Sequence, residues 1–205
     1  MTTRVAVFGG TFDPIHIGHL AAVQDASDEL GVDRVLFVPN SRPPHKTALP
    51  VTDAQDRAEM VRLSLQGNDR FELCLVEFER DAPSYMLDTM RILRERLGDG
   101  TDLCFLVGCD ALSQLHTWSR PDELLNEFRV VIMDRPTESE VPWSEVEERF
   151  PLIRRQIEIV HVAQLDISGE DLRRRVHIGR SIRYFVVPEV ERYIRERGLY
   201  RDEPK

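Results

Sequence analysis

Six short apolar or β-branched runs recur along the chain with helical stretches between them, and this alternation most limits what it can fold into. The runs are Arg4 to Phe8, Arg34 to Val38, Phe71 to Phe78, Leu103 to Val107, Arg129 to Met133 and Ile157 to Val162. Helices are expected from about Ile17 to Leu30, Ala54 to Leu65, Asp88 to Leu97, Pro121 to Glu127 and Trp143 to Arg149. Strands joined by crossover helices run parallel, and a parallel sheet is covered on both faces. The runs VAVF, VLFV and LCFLV are apolar throughout, as a doubly covered strand requires. Helix punctuation supports the same reading: Thr52 and Gln55 stand at capping-box spacing, and Gly67 follows as a stop. In an open parallel sheet, ligands lie beyond the carboxyl ends of the strands, so the loops after strands one, two and four are where chemistry is expected.

The chain of 205 residues is 41% hydrophobic and 31% charged, enough apolar material for one ordinary domain with its own core. Against 36 acidic side chains stand 27 basic ones, a net charge of −9, which disfavours nucleic-acid backbones and anionic membrane surfaces as partners. No apolar run approaches the roughly 18 to 20 residues of a membrane span, and Val5 to Phe8 is too short for a signal-peptide core, so a cytoplasmic protein is expected. Three cysteines, Cys74, Cys104 and Cys109, form neither a CxxC pair nor an even set, and read as core thiols rather than as disulfides or zinc ligands. The sequence does not fix the oligomeric state; a homo-oligomer is open.

The first strand passes through two glycines into a helix in Val5-Ala-Val-Phe-Gly-Gly-Thr-Phe-Asp-Pro-Ile-His-Ile-Gly-His-Leu20. Glycines let backbone approach a ligand closely, and a phosphate there meets free N–H groups and the positive end of the helix dipole. The spacing is neither the dinucleotide GxGxxG nor GxxxxGK[ST]. His16 and His19, at i and i+3, share one side of the helix start, Gly18 removes a side chain that would crowd them, and both can donate to phosphate oxygens. A zinc hydrolase built on HxxH lacks a third ligand nearby.

GGTFDPIHIGHL resembles the HxGH motif of the nucleotidylyltransferase superfamily, in the version carried by nicotinate-nucleotide adenylyltransferases. Four more segments are similar to the same family. Pro39-Asn-Ser-Arg-Pro-Pro-His-Lys46 looks like its SxxPPHK loop, in which prolines stiffen a loop that presents His45 and Lys46. Pro83-Ser-Tyr-Met-Leu-Asp-Thr89 is similar to PSYTxDT, whose loop amides meet the nicotinate carboxylate, with Met86 where the family commonly has Thr. Val107-Gly-Cys-Asp-Ala-Leu-Ser-Gln-Leu-His-Thr-Trp118 looks like GxDxLxxxxxW. Ile167-Ser-Gly-Glu-Asp-Leu-Arg173, followed by Arg180-Ser-Ile-Arg-Tyr-Phe185 and Pro188, resembles ISSTxIR and SIRYxVP, with Gly169 and Glu170 in place of Ser-Thr. Together they span nearly the whole chain, from Val5 to about Ile194; residues 138–156 match nothing in the pattern.

The resemblance implies a Rossmann-like open parallel sheet of about six strands, helices on both faces, and a small helical C-terminal part, residues 166–205, completing the ATP site of a single domain. It implies adenylyl transfer from MgATP to nicotinate mononucleotide. His16, His19, Lys46 and Arg173 would serve the chemistry, and Gly9, Gly10, Thr11, Phe12, Gly18, Gly108, Asp110 and Ser168 would bind the nucleotide. His45, Ser84, Tyr85, Met86 and Trp118 would bind the acceptor, with Trp118 stacked on its pyridine ring and magnesium held mainly by the phosphates. Ser168 is placed as an N-cap whose helix turn would meet phosphates. Met86 leaves open an acceptor such as nicotinamide mononucleotide, and Gly169-Glu170 leaves open a nucleotide-binding regulator without turnover. The carboxylate-free stretches 1–12, 14–24, 34–52, 111–121 and 172–188 hold most of these motifs, which points to a local basic pocket for polyphosphates in an acidic protein.

Overall fold

The chain runs β1 (Thr3–Gly10), α1 (Ile17–Leu30), β2 (Arg34–Pro39), α2 (Ala54–Ser64), β3 (Phe71–Leu73), α3 (Met86–Leu97) and β4 (Thr101–Gly108). It continues through α4 (Pro121–Glu127), β5 (Arg129–Asp134), α5 (Trp143–Arg149), α6 (Ile153–Gln156), β6 (Ile157–His161), α7 (Gly169–His177) and α8 (Pro188–Arg197). Short 3-10 turns lie at Val76–Glu79 and Leu115–Thr117. These elements come from a computed structural model that describes residues 2–41, 51–80, 83, 85–109, 112, 115–134, 143–163 and 165–201.

The six strands form one parallel sheet in the order β3-β2-β1-β4-β5-β6, the Rossmann-like α/β arrangement expected from the alternation. Val5, Ala6 and Val7 are buried in succession along β1, and Val130 to Met133 along β5, so neighbouring residues that point to opposite faces both find cover. β1 lies beside β4 with Val5 opposite Leu103 and Val7 opposite Phe105. The outer strand β6 is only partly covered, and Ile159 remains exposed. The strand order reverses at β1 and β4, the place where an open sheet of this kind leaves a crevice.

Local chemistry moved two boundaries. The third strand ends at Leu73 rather than Phe78: Cys74 N–H still donates to the Phe37 carbonyl at 2.9 Å, but Leu75 has left the extended region and the chain coils into the 3-10 turn. α2 is capped by Asp53, whose carboxylate accepts the Gln55 N–H at 2.8 Å. The first helical bond also goes to Asp53, whose carbonyl accepts the Arg57 N–H at 3.1 Å, while the Thr52 carbonyl takes the Arg57 side chain instead, so the cap lies at Asp53 and not at Thr52. Cys104 and Cys109 are core thiols as expected, and burial pushes the Cys104 thiol up to about 11; Cys74 is half-buried.

The chain divides into two compact units interleaved along the sequence. The first, residues 1–9, 22–36 and 85–164, contains the ladder of β1, β4, β5 and β6 with α3 and α4 beside it. α3 buries Leu87, Met90 and Leu93, one stripe of an amphipathic helix. The second unit, residues 10–21, 37–84 and 165–205, contains the turn after β1 together with α2, β3, α7 and α8. There α8 is fastened to α2 by Asp56, whose Oδ1 accepts both the Tyr193 hydroxyl at 2.7 Å and Arg197 Nε at 3.1 Å. Among the described residues, no helix is long and apolar enough to cross a membrane.

Candidate active site

The turn after β1, in the second unit, is built around a buried arginine. Arg57 is 1% exposed. Its Nη1 donates to the Thr11 carbonyl at 2.7 Å and to Asn40 Oδ1 at 3.2 Å, and its Nε donates to the Thr52 carbonyl at 2.9 Å. Burial draws the Arg57 pKa down, and Asp13, Tyr200, Asp53 and Glu77 oppose this. A buried guanidinium is tolerable only when its donors are used, and here they hold three backbone segments in register. Gly10 accepts the Asn40 N–H at 3.0 Å, and a Cβ at Gly10 would lie 2.8 Å from the Phe12 ring. Phe12 itself is buried, with a left-handed φ of 51°.

Beyond Phe12 the two histidines stack, ring centroids 3.6 Å apart and 24° from parallel. The His16 N–H donates to His19 Nδ1 at 3.2 Å and the His19 N–H to His16 Nδ1 at 3.4 Å. A ring nitrogen that accepts carries no proton, so this reciprocal pair sets both imidazoles in the tautomer with hydrogen on Nε2. Burial lowers the His16 pKa to about 4. His19 is held well below the usual histidine range by burial and, secondarily, by His16. Both are therefore neutral Nε2–H donors near pH 7. Gly18 permits the stack, since a Cβ there would lie 3.0 Å from His16 Nδ1. Phe12 meets His19 edge-on at 5.5 Å, and the Ile17 N–H donates to the Phe185 carbonyl at 2.9 Å, which ties the SIRYF segment to the first turn of α1.

Asp13 is the hub that sequence reasoning left without a role. Its Oδ1 accepts the Tyr200 hydroxyl at 2.7 Å, its Oδ2 accepts the Thr52 N–H at 3.3 Å, and its carbonyl accepts Arg173 Nη1 at 2.6 Å. Arg173, expected among the phosphate donors, thus rests on Asp13. Ser168 caps α7 as expected, its Oγ accepting the Asp171 N–H at 3.1 Å. A Cβ at Gly169 would stand 2.8 Å from the Asp13 carbonyl, so glycine in place of the family's serine is the residue that lets this helix start approach the turn. Arg57, Asp13 and Tyr200 were all missed. Asp13 lay inside a quoted motif, whereas Arg57 and Tyr200 carry no local signal.

In the first unit, Gly9 closes on α3: a Cβ there would meet Met86 Cε at 2.3 Å and Phe105 at 3.8 Å. The Met86 thioether therefore occupies space that Gly9 leaves free. Tyr85 precedes α3 in extended conformation, and its carbonyl accepts the Thr89 N–H at 3.2 Å. Trp118 is half-buried and leans on Phe105, centroids 5.9 Å apart at 56°. Gly108 ends β4, and among the described residues nothing lies within 4 Å of where a Cβ would stand. The second unit thus gathers Gly10, Thr11, Phe12, His16, Gly18, His19, Ser168 and Arg173, and the first holds Gly9, Tyr85, Met86, Gly108 and Trp118. His45, Lys46, Ser84 and Asp110 lie outside the described residues.

Comparison with known proteins places the chain in a family. The cytidylyltransferase-like family model matches residues 7–175. A protein of Thermomicrobium roseum named "probable nicotinate-nucleotide adenylyltransferase" is 41% identical over 199 residues, covering 97% of this chain and 92% of that protein. One of the same name from Thermus thermophilus is 40% identical over 200 residues, covering 97% and 100%. Among solved structures, Plasmodium falciparum nicotinic acid mononucleotide adenylyltransferase complexed with NaAD superposes with a TM-score of 0.76 at 19% identity, covering 97% of each chain, a likeness of fold. The chain belongs to the cytidylyltransferase-like family and, within it, to the nicotinate-nucleotide adenylyltransferases.

Proposed function

We propose that this nucleotidyltransferase moves the adenylyl group of MgATP onto nicotinate mononucleotide, releasing pyrophosphate and nicotinate adenine dinucleotide in NAD biosynthesis. The observation that carries the proposal is the stacked pair His16 and His19, set as neutral Nε2–H donors at the start of α1 in a chain with full-length relatives of that name. The acceptor's phosphate oxygen attacks the α-phosphorus of ATP. A P–O bond forms there, the bond to the β-bridging oxygen breaks, and both of its electrons leave with pyrophosphate. The attacking phosphate is already an anion, so no residue has to remove a proton; the protein's task is alignment and stabilisation of the charge that develops.

The roles are those the family resemblance implies for the matching residues. His16 and His19 donate to the α- and β-phosphate oxygens, and the Gly9-Gly10-Thr11-Phe12 backbone lies against the nucleotide, with Gly18 leaving room for the histidines. Arg173 and Lys46 offset the leaving group's charge, and the first turn of α7 behind Ser168, part of the C-terminal segment 166–205, meets the triphosphate. Trp118 stacks on the pyridine ring, the amides near Ser84, Tyr85 and Met86 meet its carboxylate, His45 holds the acceptor phosphate, and Gly108 and Asp110 face a ribose. Magnesium arrives with ATP, held by its phosphates, and the cytoplasm is where these soluble substrates meet. Pyrophosphate release from MgATP with either mononucleotide tests the reading. The acid is expected to exceed the amide in kcat/KM by about a hundredfold or more, because a site built to pair a carboxylate leaves its donors unmatched by the amide. No pyrophosphate from MgATP and the acid mononucleotide would overturn it.

A further inference from the structure

We infer that Tyr200 is a positioning residue for this adenylyl transfer, holding Asp13 so that Arg173 stays available to the nucleotide; the inference rests on the proposed function. Asp13 is 7% exposed, so its carboxylate oxygens depend on protein donors. The Tyr200 hydroxyl supplies one at 2.7 Å and the Thr52 N–H the other at 3.3 Å. Among the described residues, Arg173 is a cation within reach; it donates to the Asp13 carbonyl at 2.6 Å while its Nη1 stands 4.0 Å from Oδ2. Arg57, also close enough to feel Asp13, is committed to Thr11, Thr52 and Asn40. Without the tyrosine hydroxyl, Oδ1 would lack its donor, and the less satisfied carboxylate would draw Arg173, already 4.0 Å from Oδ2, into a closer ion pair. That contact would compete with polyphosphate for the same guanidinium. With Tyr200 in place, Arg173 is held by the Asp13 carbonyl at 2.6 Å and only loosely by the carboxylate at 4.0 Å, and is freed at lower cost.

Two further observations separate this role from simple anchoring of the chain end. The C-terminal helix is already fastened to α2 through Tyr193, Arg197 and Asp56, so a second tyrosine–aspartate contact is not needed to dock it. Tyr200 also adopts a left-handed φ of 63°, two residues after the left-handed Gly198, and Phe12 beside Asp13 has φ of 51°. Both partners of the hydrogen bond thus sit at or next to a conformation that L side chains rarely adopt, a kind of local strain that concentrates at functional sites. The Leu199 N–H on the Ile194 carbonyl, and the Arg201 carbonyl against His177 Nδ1, hold the chain on either side of the tyrosine.

The test compares Tyr200→Phe with Tyr193→Phe, which removes the other tyrosine–aspartate contact of the same segment. Tyr200→Phe is expected to lower kcat/KM for MgATP about tenfold or more, and to weaken MgATP binding measured by calorimetry by about fivefold, with KM for the acceptor within twofold. Tyr193→Phe is expected to show similar thermal stability and to stay within twofold of wild type in all three. In an Arg173→Ala background, the added effect of Tyr200→Phe should vanish, since residues acting through one another are not additive. The inference is overturned if Tyr200→Phe stays within twofold, if Tyr193→Phe loses as much, or if the tenfold effect persists without Arg173. Because MgATP binding is read without any acceptor, a wild type that binds MgATP but does not turn over nicotinate mononucleotide would sink the proposed acceptor and leave this inference to stand or fall on calorimetry.

Discussion

The turn after β1 and the end of β4 are built in opposite ways. Around the turn, Asp13, Arg57, His16 and His19 are engaged with one another and with other protein groups. Around the end of β4, the half-buried Trp118 leans on Phe105, and among the described residues nothing lies within 4 Å of where a Cβ at Gly108 would stand. The difference follows from what each region has to handle. Donors that stabilise developing charge work best when fixed beforehand, because reorienting dipoles during the reaction adds to the barrier. A flat ring asks only for an aromatic face and room, which the ligand itself can complete.

The comparison can be broken most sharply at His19. His19→Ala is expected to lower kcat by about 10²–10³, as removal of one fixed transition-state donor does, while circular dichroism and thermal unfolding show the fold retained. Full activity in the variant would remove the phosphate role. Trp118→Ala should act on binding: KM for the acceptor mononucleotide should rise by roughly 5- to 150-fold, matching about 1–3 kcal/mol of stacking, with kcat changed only a few-fold. A variant that lost kcat and kept KM would place Trp118 in the chemistry instead.

Stability against pH reads the buried pair. The folded His16 pKa of about 4 lies below the ordinary 6.5, so the unfolded chain takes up the proton first as pH falls. The contribution is fully present above pH 6.5 and is lost as pH falls toward 4, about 2 kcal/mol of it between pH 7 and pH 5. His16→Asn should flatten the fall in thermal stability over that range, and an unchanged slope would show that His16 is not held neutral. The smallest effect is expected at Gly108→Ala, within about 0.5 kcal/mol in stability because among the described residues a Cβ there meets nothing. Gly18→Ala in the same assay should cost more, its Cβ falling 3.0 Å from His16 Nδ1. Equal costs at the two glycines would erase the contrast between the regions.

Much of this was legible from short-range chemistry. The strands of a doubly covered sheet are apolar without alternation, so five of the six kept their expected cores, and Ser168 acted as the N-cap its side chain suits. The failures came where a distant group intervened. Thr52 looked like a helix cap, but its carbonyl takes the Arg57 side chain while the Asp53 carbonyl takes the Arg57 N–H, and the cap lies at Asp53. The third strand shortened because Leu75 turned out of the extended region into a 3-10 turn. Gly169 looked like a weakened motif until the Asp13 carbonyl was found 2.8 Å from where its Cβ would be.

By itself the sequence determined the alternation that requires a parallel sheet, the strand–glycine–helix segment with its two histidines, and the family pattern along the chain. These are matters of residues near one another, where periodicity and spacing translate directly into faces and turns. Only the tertiary structure decided that the histidines share their Nδ1 atoms with each other's backbone, that Arg173 rests on Asp13, and that Tyr200, 187 residues further along, supplies a donor to that same carboxylate. A buried polar group must find its partner wherever the fold brings one. That choice is made by three-dimensional proximity, which composition and spacing do not encode.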